Sequence, residues 1–206
     1  MEQNAHGEHI HYDAEAAKIG MWLFIFTELL LFGGLFIVYS IYRYMNQEAF
    51  HLAAEELNTT IGAINTILLL ISSMTIAMST TTLQLKKKGA TIALLAITII
   101  IGVIFLVNKY FEWGLKFEHG IYPGSEHLLN DFSQGEILFF GLYFVMTGLH
   151  ALHIIIGLII ILVAAWQVHT GTVNENRAAL LENSGLYWHL VDIIWIFLFP
   201  LFYLIH

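Results

Sequence analysis

Seven ionisable side chains stand inside long apolar runs of this sequence: Glu28, Lys109, Glu112, His150, His153, His189 and Asp192. Charges in hydrocarbon are costly, so such residues are paired, neutral or hydrated, and they mark function by default. Glu28 lies ten residues past Lys18, roughly 15 Å along a helix, and its own run offers no basic partner before Arg43. It reads either as a neutral carboxyl hydrogen-bonded to another helix or as a proton-linked or lipid-headgroup-linked one. Lys109 and Glu112 are three apart and share a helix face. They read as a structural ion pair, with Lys116 as a further i+4 partner for Glu112 and long stems that snorkel to the nearby outer edge.

His150 and His153 are also three apart, in TGLHALHIIIG. Such a pair could ligate zinc or iron only with help from other helices, for which Glu28, His189 and Asp192 are the plausible suppliers, or could supply a haem axial ligand. The other reading is a pair of hydrogen-bonded structural histidines. His189 and Asp192 recur at the same spacing in LYWHLVDIIWIFLF, where a carboxylate could orient an imidazole. With Glu182 in the loop before them, they form a proton-buffering surface or an interfacial polar cluster beside Tyr187 and Trp188. His6, His9 and His11 make a polar tail that could bind metal weakly, although such tails are usually disordered.

What must position these residues is membrane helix. The chain has 206 residues, is 58% hydrophobic and only 12% charged, and its mean hydropathy is +0.72. Charged residues make up about 25% of an ordinary soluble domain. A soluble fold could not hide so much apolar surface, so lipid is part of the solvent. Five runs, at about 19–42, 62–85, 90–115, 136–166 and 186–205, are long enough to cross a hydrocarbon core. They are too long and too uniformly apolar for barrel strands. The expected fold is an all-α integral membrane bundle of five transmembrane helices, one domain over 18–206 behind a polar tail at 1–17. That tail has no basic segment followed by an apolar one, so the first span is expected to serve as its own insertion signal.

Lys18, Lys86, Lys87, Lys88 and Arg177 fall on one side of this topology, and Arg43 and Lys116 on the other. The positive-inside rule then places the N-terminus in the cytoplasm and the C-terminus in the periplasm or exterior. The net charge is −8, without the basic patch that nucleic acid requires. No cysteine is present, which excludes disulfides, iron–sulfur clusters and thiolate metal sites. In the second span Asn65, Ser72 and Ser79 repeat every seven residues, as do Thr66, Ser73 and Thr80. That spacing makes a polar seam for packing against another helix, or a polar conduit.

Taken together, five stretches resemble subunit III of the haem–copper oxidases, the cytochrome c and quinol oxidases. They are GMWLFIFTELLLFGGLF (20–36), NTILLLISSMTIAMS (65–79), KYFEW (109–113), TGLHALHIIIG (147–157) and YWHLVDIIWIFLF (187–199). They occur in the family's order, and the resemblance covers about 19–206. It implies a subunit that binds no haem and no copper of its own and packs beside the catalytic subunit I, which carries those cofactors. It implies support of proton uptake, protection from turnover-induced inactivation, and ordered phospholipids. On the same resemblance Glu28, Glu112, the His150/His153 pair and the His189/Asp192 pair match the family's buried polar positions, and metal ligation by the histidines recedes. The expected setting is the bacterial cytoplasmic membrane, with other oxidase subunits and phospholipids as partners and no nucleic acid. The long form of the family has seven spans. This chain lacks the first two, which form one wall of the lipid cleft, so another subunit completes that cleft or it is missing. The alternatives are an accessory subunit of a nitric oxide reductase and, from another class, a stand-alone transporter built around Glu28. The electron donor is set by other subunits.

Overall fold

The computed structural model describes residues 14–174 and 177–205, with side chains from residue 16. The histidines of the tail, His6, His9 and His11, lie outside the described residues. Every regular element described is an α-helix. The five long ones are α1 (Ala14–Met45), α3 (Thr59–Gln84), α4 (Lys88–Glu118), α6 (Gln134–Thr170) and α7 (Ala179–Tyr203). Each carries an apolar stretch long enough to span a bilayer. Two short helices not expected from the sequence, α2 (Gln47–Glu55) and α5 (Glu126–Asp131), lie in the acidic loops at one end of the bundle. The basic turn Lys86–Lys88 lies at the other.

Local chemistry fixes the ends. The Asn58 side chain accepts from the Ile61 amide at 3.1 Å to start α3. Ser133 and Glu136 form a reciprocal capping box at the start of α6. Gly171 stops that helix in the left-handed conformation, φ 83°. Each of the five long helices begins before its expected span, because polar residues extend the helix ahead of the apolar run. The largest difference is α7, which begins at Ala179, seven residues before the expected 186.

α7 sits centrally, packed on α1, α3 and α6, while α4 packs against α3 and α6. Its apolar stretch is 56% buried, against 11% for that of α1, which lies along one flank of the bundle. Helix axes approach where a side chain is missing. The fully buried Trp188 ring fits between Gly102 of α4 and Gly157 of α6. A Cβ on Gly102 would meet Trp188 Cη2 at 2.9 Å, and one on Gly157 would meet Trp188 Cε3 at 2.9 Å. Small residues at helix contacts are how bundles pack tightly in lipid, where apolar side chains gain little by leaving the hydrocarbon.

Candidate polar sites within the bundle

α1 and α6 meet at Glu28. Its Oε2 lies 2.9 Å from His153 Nε2, and the two side chains are 13% and 8% exposed. The other ring nitrogen, His153 Nδ1, is 2.7 Å from the Leu149 carbonyl. A carbonyl only accepts, so Nδ1 carries a hydrogen. The short contact to Glu28 then holds one further proton, on the imidazole or on the carboxyl. Either arrangement leaves the pair neutral overall, which is how a carboxyl can sit this deep. Tyr187 of α7 donates to the His153 carbonyl at 3.1 Å, and Phe32 packs edge-on to the imidazole.

His150, one turn earlier, is fully buried between Phe105 and Trp195. Neither of its ring nitrogens has a hydrogen-bond partner among the described residues. His153 commits one nitrogen to Leu149 and the other to Glu28, so the two histidines do not converge on a common ligand. Among the described residues no three His, Asp or Glu side chains are grouped as a metal site would require.

Lys109 and Glu112 do pair, at 3.2 Å, but they are 3% and 4% exposed and do not snorkel. Their surroundings explain why. Lys109 Nζ also donates to Tyr143 OH of α6 and Tyr203 OH of α7, both at 2.9 Å. Those phenols donate in turn to Glu112 Oε1, at 2.6 Å and 2.5 Å. All three ammonium hydrogens are used, and the carboxylate is held on both oxygens. Burial of an ion pair is tolerable only when its remaining donors and acceptors are satisfied in this way. Lys116 is not part of the cluster. It turns to α2 and the chain after it, donating to the Glu56 carbonyl and lying 3.6 Å from the Glu56 carboxylate.

His189 and Asp192 are not in the first turns of their helix. With α7 starting at Ala179, they lie roughly 15–20 Å along it, near its middle. His189 Nδ1 is 2.7 Å from Ser73 Oγ of α3. Asp192 is 3% exposed, and neither carboxylate oxygen has a hydrogen bond among the described residues. Ser73, whose Oγ contacts the imidazole, also stands beside that carboxylate. Glu182 belongs to the first turn of α7, where it pairs with Lys18 at 2.8 Å.

The α3 seam meets α4 and α7. Asn65 accepts from Asn108 at 2.8 Å, Ser72 from Trp188 Nε1 at 3.0 Å, and Thr66 from Trp195 Nε1 at 3.0 Å. Ser79 is buried but bonds within its own helix, and the half-buried Thr80 does the same. The residues that sequence reasoning missed are Tyr143 and Tyr203, and Ser73, though expected in the seam, was not expected to meet His189. Tyr143 and Tyr203 fall near span ends, where tyrosine reads as interfacial belt. Only their spacing from Lys109 in three dimensions marks them as its partners.

Comparison with known proteins agrees with this architecture. The family model described as cytochrome c oxidase subunit III matches residues 1–206. The chain is 31% identical to cytochrome c oxidase subunit 3 of Synechocystis sp., over 98% of this chain and 80% of that one. It is 26% identical to a probable quinol oxidase subunit 3 of Staphylococcus saprophyticus, over 94% of this chain and 91% of that one. It is also 29% identical to a heme-copper oxidase subunit I+III of Aeropyrum pernix, covering 96% of this chain and 24% of that one. These matches favour neither the nitric oxide reductase reading nor the transporter reading. The chain belongs to the cytochrome c oxidase subunit III family, as a multi-pass membrane subunit of an oxidase complex.

Proposed function

We propose that this chain, the third subunit of a haem–copper terminal oxidase, supports proton uptake by the catalytic subunit I and keeps that subunit stable during turnover. It holds no haem or copper, and those cofactors reside in its partners. The supporting observation is the Glu28–His153 pair. It places a carboxyl and an imidazole in hydrogen-bond contact between α1 and α6, deep in the bundle, where they can share a proton. The fused subunit I+III relative is consistent with a catalytic neighbour pressed against this bundle. The chain sits in the bacterial cytoplasmic membrane, with the Lys86–Lys88 turn inside and α2 and α5 outside, as its basic residues direct.

The test is a complex carrying Glu28→Gln or His150→Ala, purified with its haem-bearing partner. The first turnovers of oxygen reduction should persist while inactivation during sustained turnover speeds up or the subunit is lost more readily. Complete loss of first-turnover activity in a correctly assembled variant would contradict a supporting role. Haem or copper bound stoichiometrically by the isolated chain would contradict the absence of redox centres.

A further inference from the structure

α7 is central to the bundle, yet a strip of it is uncovered. His189, Ile193, Ile196 and Pro200 follow one another at four, three and four residues, the spacing that turns one helix face to a neighbour. Ile193, Ile196 and Pro200 are exposed and His189 is half-buried. The strip runs between two walls. On one side Phe199 and Tyr203 close against Gly62 of α3, and His189 meets Ser73. On the other side Phe197 meets Phe36 of α1, with ring centroids 5.9 Å apart. α1 and α3 each pack on α7 and not appreciably on one another, so α7 is the floor of an open groove. Its α3 wall is low, because Ala63 and Ala77 stand seven residues to either side of Leu70.

The floor carries a polar atom that hydrocarbon cannot satisfy. His189 lies seven residues past Glu182, which pairs with Lys18 in the first turn of α7, and is therefore roughly 10 Å deeper. Its Nδ1 is held by Ser73 at 2.7 Å, whereas Nε2 makes no hydrogen bond among the described residues and is not enclosed by them. Acyl chains can lie against Ile193 and Ile196, but they bring no donor or acceptor, and a polar group left without one in an apolar medium is costly. If Ser73 accepts from Nδ1, then Nε2 must accept in turn, and if Ser73 donates, Nε2 must donate. A hydroxyl or a carboxamide answers both cases and takes no charge into the membrane. Such side chains are the ones that join helices within lipid. We infer that the groove between α1 and α3 docks a transmembrane helix of a companion chain, and that a serine, threonine, asparagine or glutamine of that helix meets His189 Nε2. The inference rests on the chain being a subunit of a complex, and adds to that reading the face and the contact.

The test uses the assembled complex, with Ile193 replaced by the photoreactive p-benzoylphenylalanine. Illumination should link this chain to a companion chain, and peptide mass spectrometry should place the adduct on a helix with a hydroxyl or carboxamide side chain within a turn of the linked residue. In a second measurement, His189→Leu should speed release of the chain from the complex roughly three- to tenfold, the scale of an interhelical hydrogen bond in a membrane. His189→Gln, which keeps a donor and an acceptor at the reach of Nε2, should stay near the wild-type rate. Adducts confined to lipid, to a quinone or to a second copy of this chain overturn the inference. So does a linked helix without such a side chain, release of His189→Leu at the wild-type rate, or release of His189→Gln as fast as the leucine variant. Should His189→Leu fail to assemble, the adduct at position 193 decides. A chain that does not co-purify with a haem-bearing partner would contradict the subunit reading itself, whereas co-purification with only lipid adducts would overturn the docking face alone.

Discussion

Replacing Glu112 by leucine removes the only anion of the Lys109–Glu112–Tyr143–Tyr203 cluster and leaves an ammonium 3% exposed with two phenols. Breaking a buried pair from one side costs about 3–5 kcal/mol, chiefly because the remaining charge is stranded. At about 1.4 kcal/mol per factor of ten, that is roughly two to four powers of ten in the opening equilibrium of this end of the bundle. The double replacement Lys109→Met with Glu112→Leu leaves no charge behind. Tyr143 and Tyr203, whose hydroxyls are already 3.4 Å apart, can then bond one another. Its cost should fall to about 1–2 kcal/mol, the scale of a lost neutral hydrogen bond. The double variant should therefore be more stable than Glu112→Leu alone. The chain has no cysteine, so Thr147→Cys supplies a thiol at a fully buried position one turn from Tyr143. Its labelling rate in the assembled complex reports local opening. Acceleration below tenfold in Glu112→Leu, or a double variant that labels as fast as the two single effects multiplied, would refute the idea that the four side chains stabilise the helix ends as one neutral unit.

At the Glu28 pair, Glu28→Gln keeps a donor toward His153 and should cost about 1 kcal/mol, whereas Glu28→Leu strands the imidazole and should cost about 1–3 kcal/mol. Thermal release of the subunit from the complex should order the two accordingly, and equal midpoints would remove the hydrogen bond from the explanation. Gly157→Ala and Gly102→Ala each drive a methyl into Trp188 and should destabilise by about 1–3 kcal/mol. A neutral effect of both would show that Trp188 is not wedged. Ser73→Ala should cost about 1–3 kcal/mol by leaving His189 Nδ1 unpartnered, and Ser73→Thr should recover most of it. Failure of threonine to rescue in the same release assay would assign the loss to packing.

The membrane spans were legible because hydropathy and length alone decide which segments cross lipid. Their ends were less so, and the error propagated. Glu182, Asn183 and Ser184 are too polar to be counted in an apolar run, yet they are helical. That set the start of α7 too late and placed His189 and Asp192 at the interface instead of near mid-helix. The i,i+3 spacing of Lys109 and Glu112 is enough to bring the two together, since that contact is local. Nothing local told Lys116 to choose Glu56 over Glu112, because the choice depends on where the chain after α2 is brought. Glu28 needed a partner on another helix, but His153 lies 125 positions away, and only the packing of α1 on α6 selects it over His150. α2 and α5 were missed because short helices outside the hydrocarbon carry no hydropathy signal.

The placement of polar contacts on α1 follows from the solvent. In water a helix as little enclosed as α1 would be held by the apolar area it buries. In lipid that area contributes little, because the hydrocarbon on the other side is equally apolar. Fastening then falls to polar groups, and α1 has them along its length. Lys18 pairs with Glu182, and the Ala17 carbonyl accepts from Asn183 at one end. Glu28 meets His153 in the middle, and Tyr39 meets Leu201 at the other end. Three of these four tethers run to α7, and only Glu28 reaches α6. Removing Glu28 therefore frees α1 from α6 while both its ends stay pinned to α7. The expected lesion is a helix that swings at its centre, not one that detaches. A partner subunit resting on the α1 flank would feel that motion before the bundle itself unfolds.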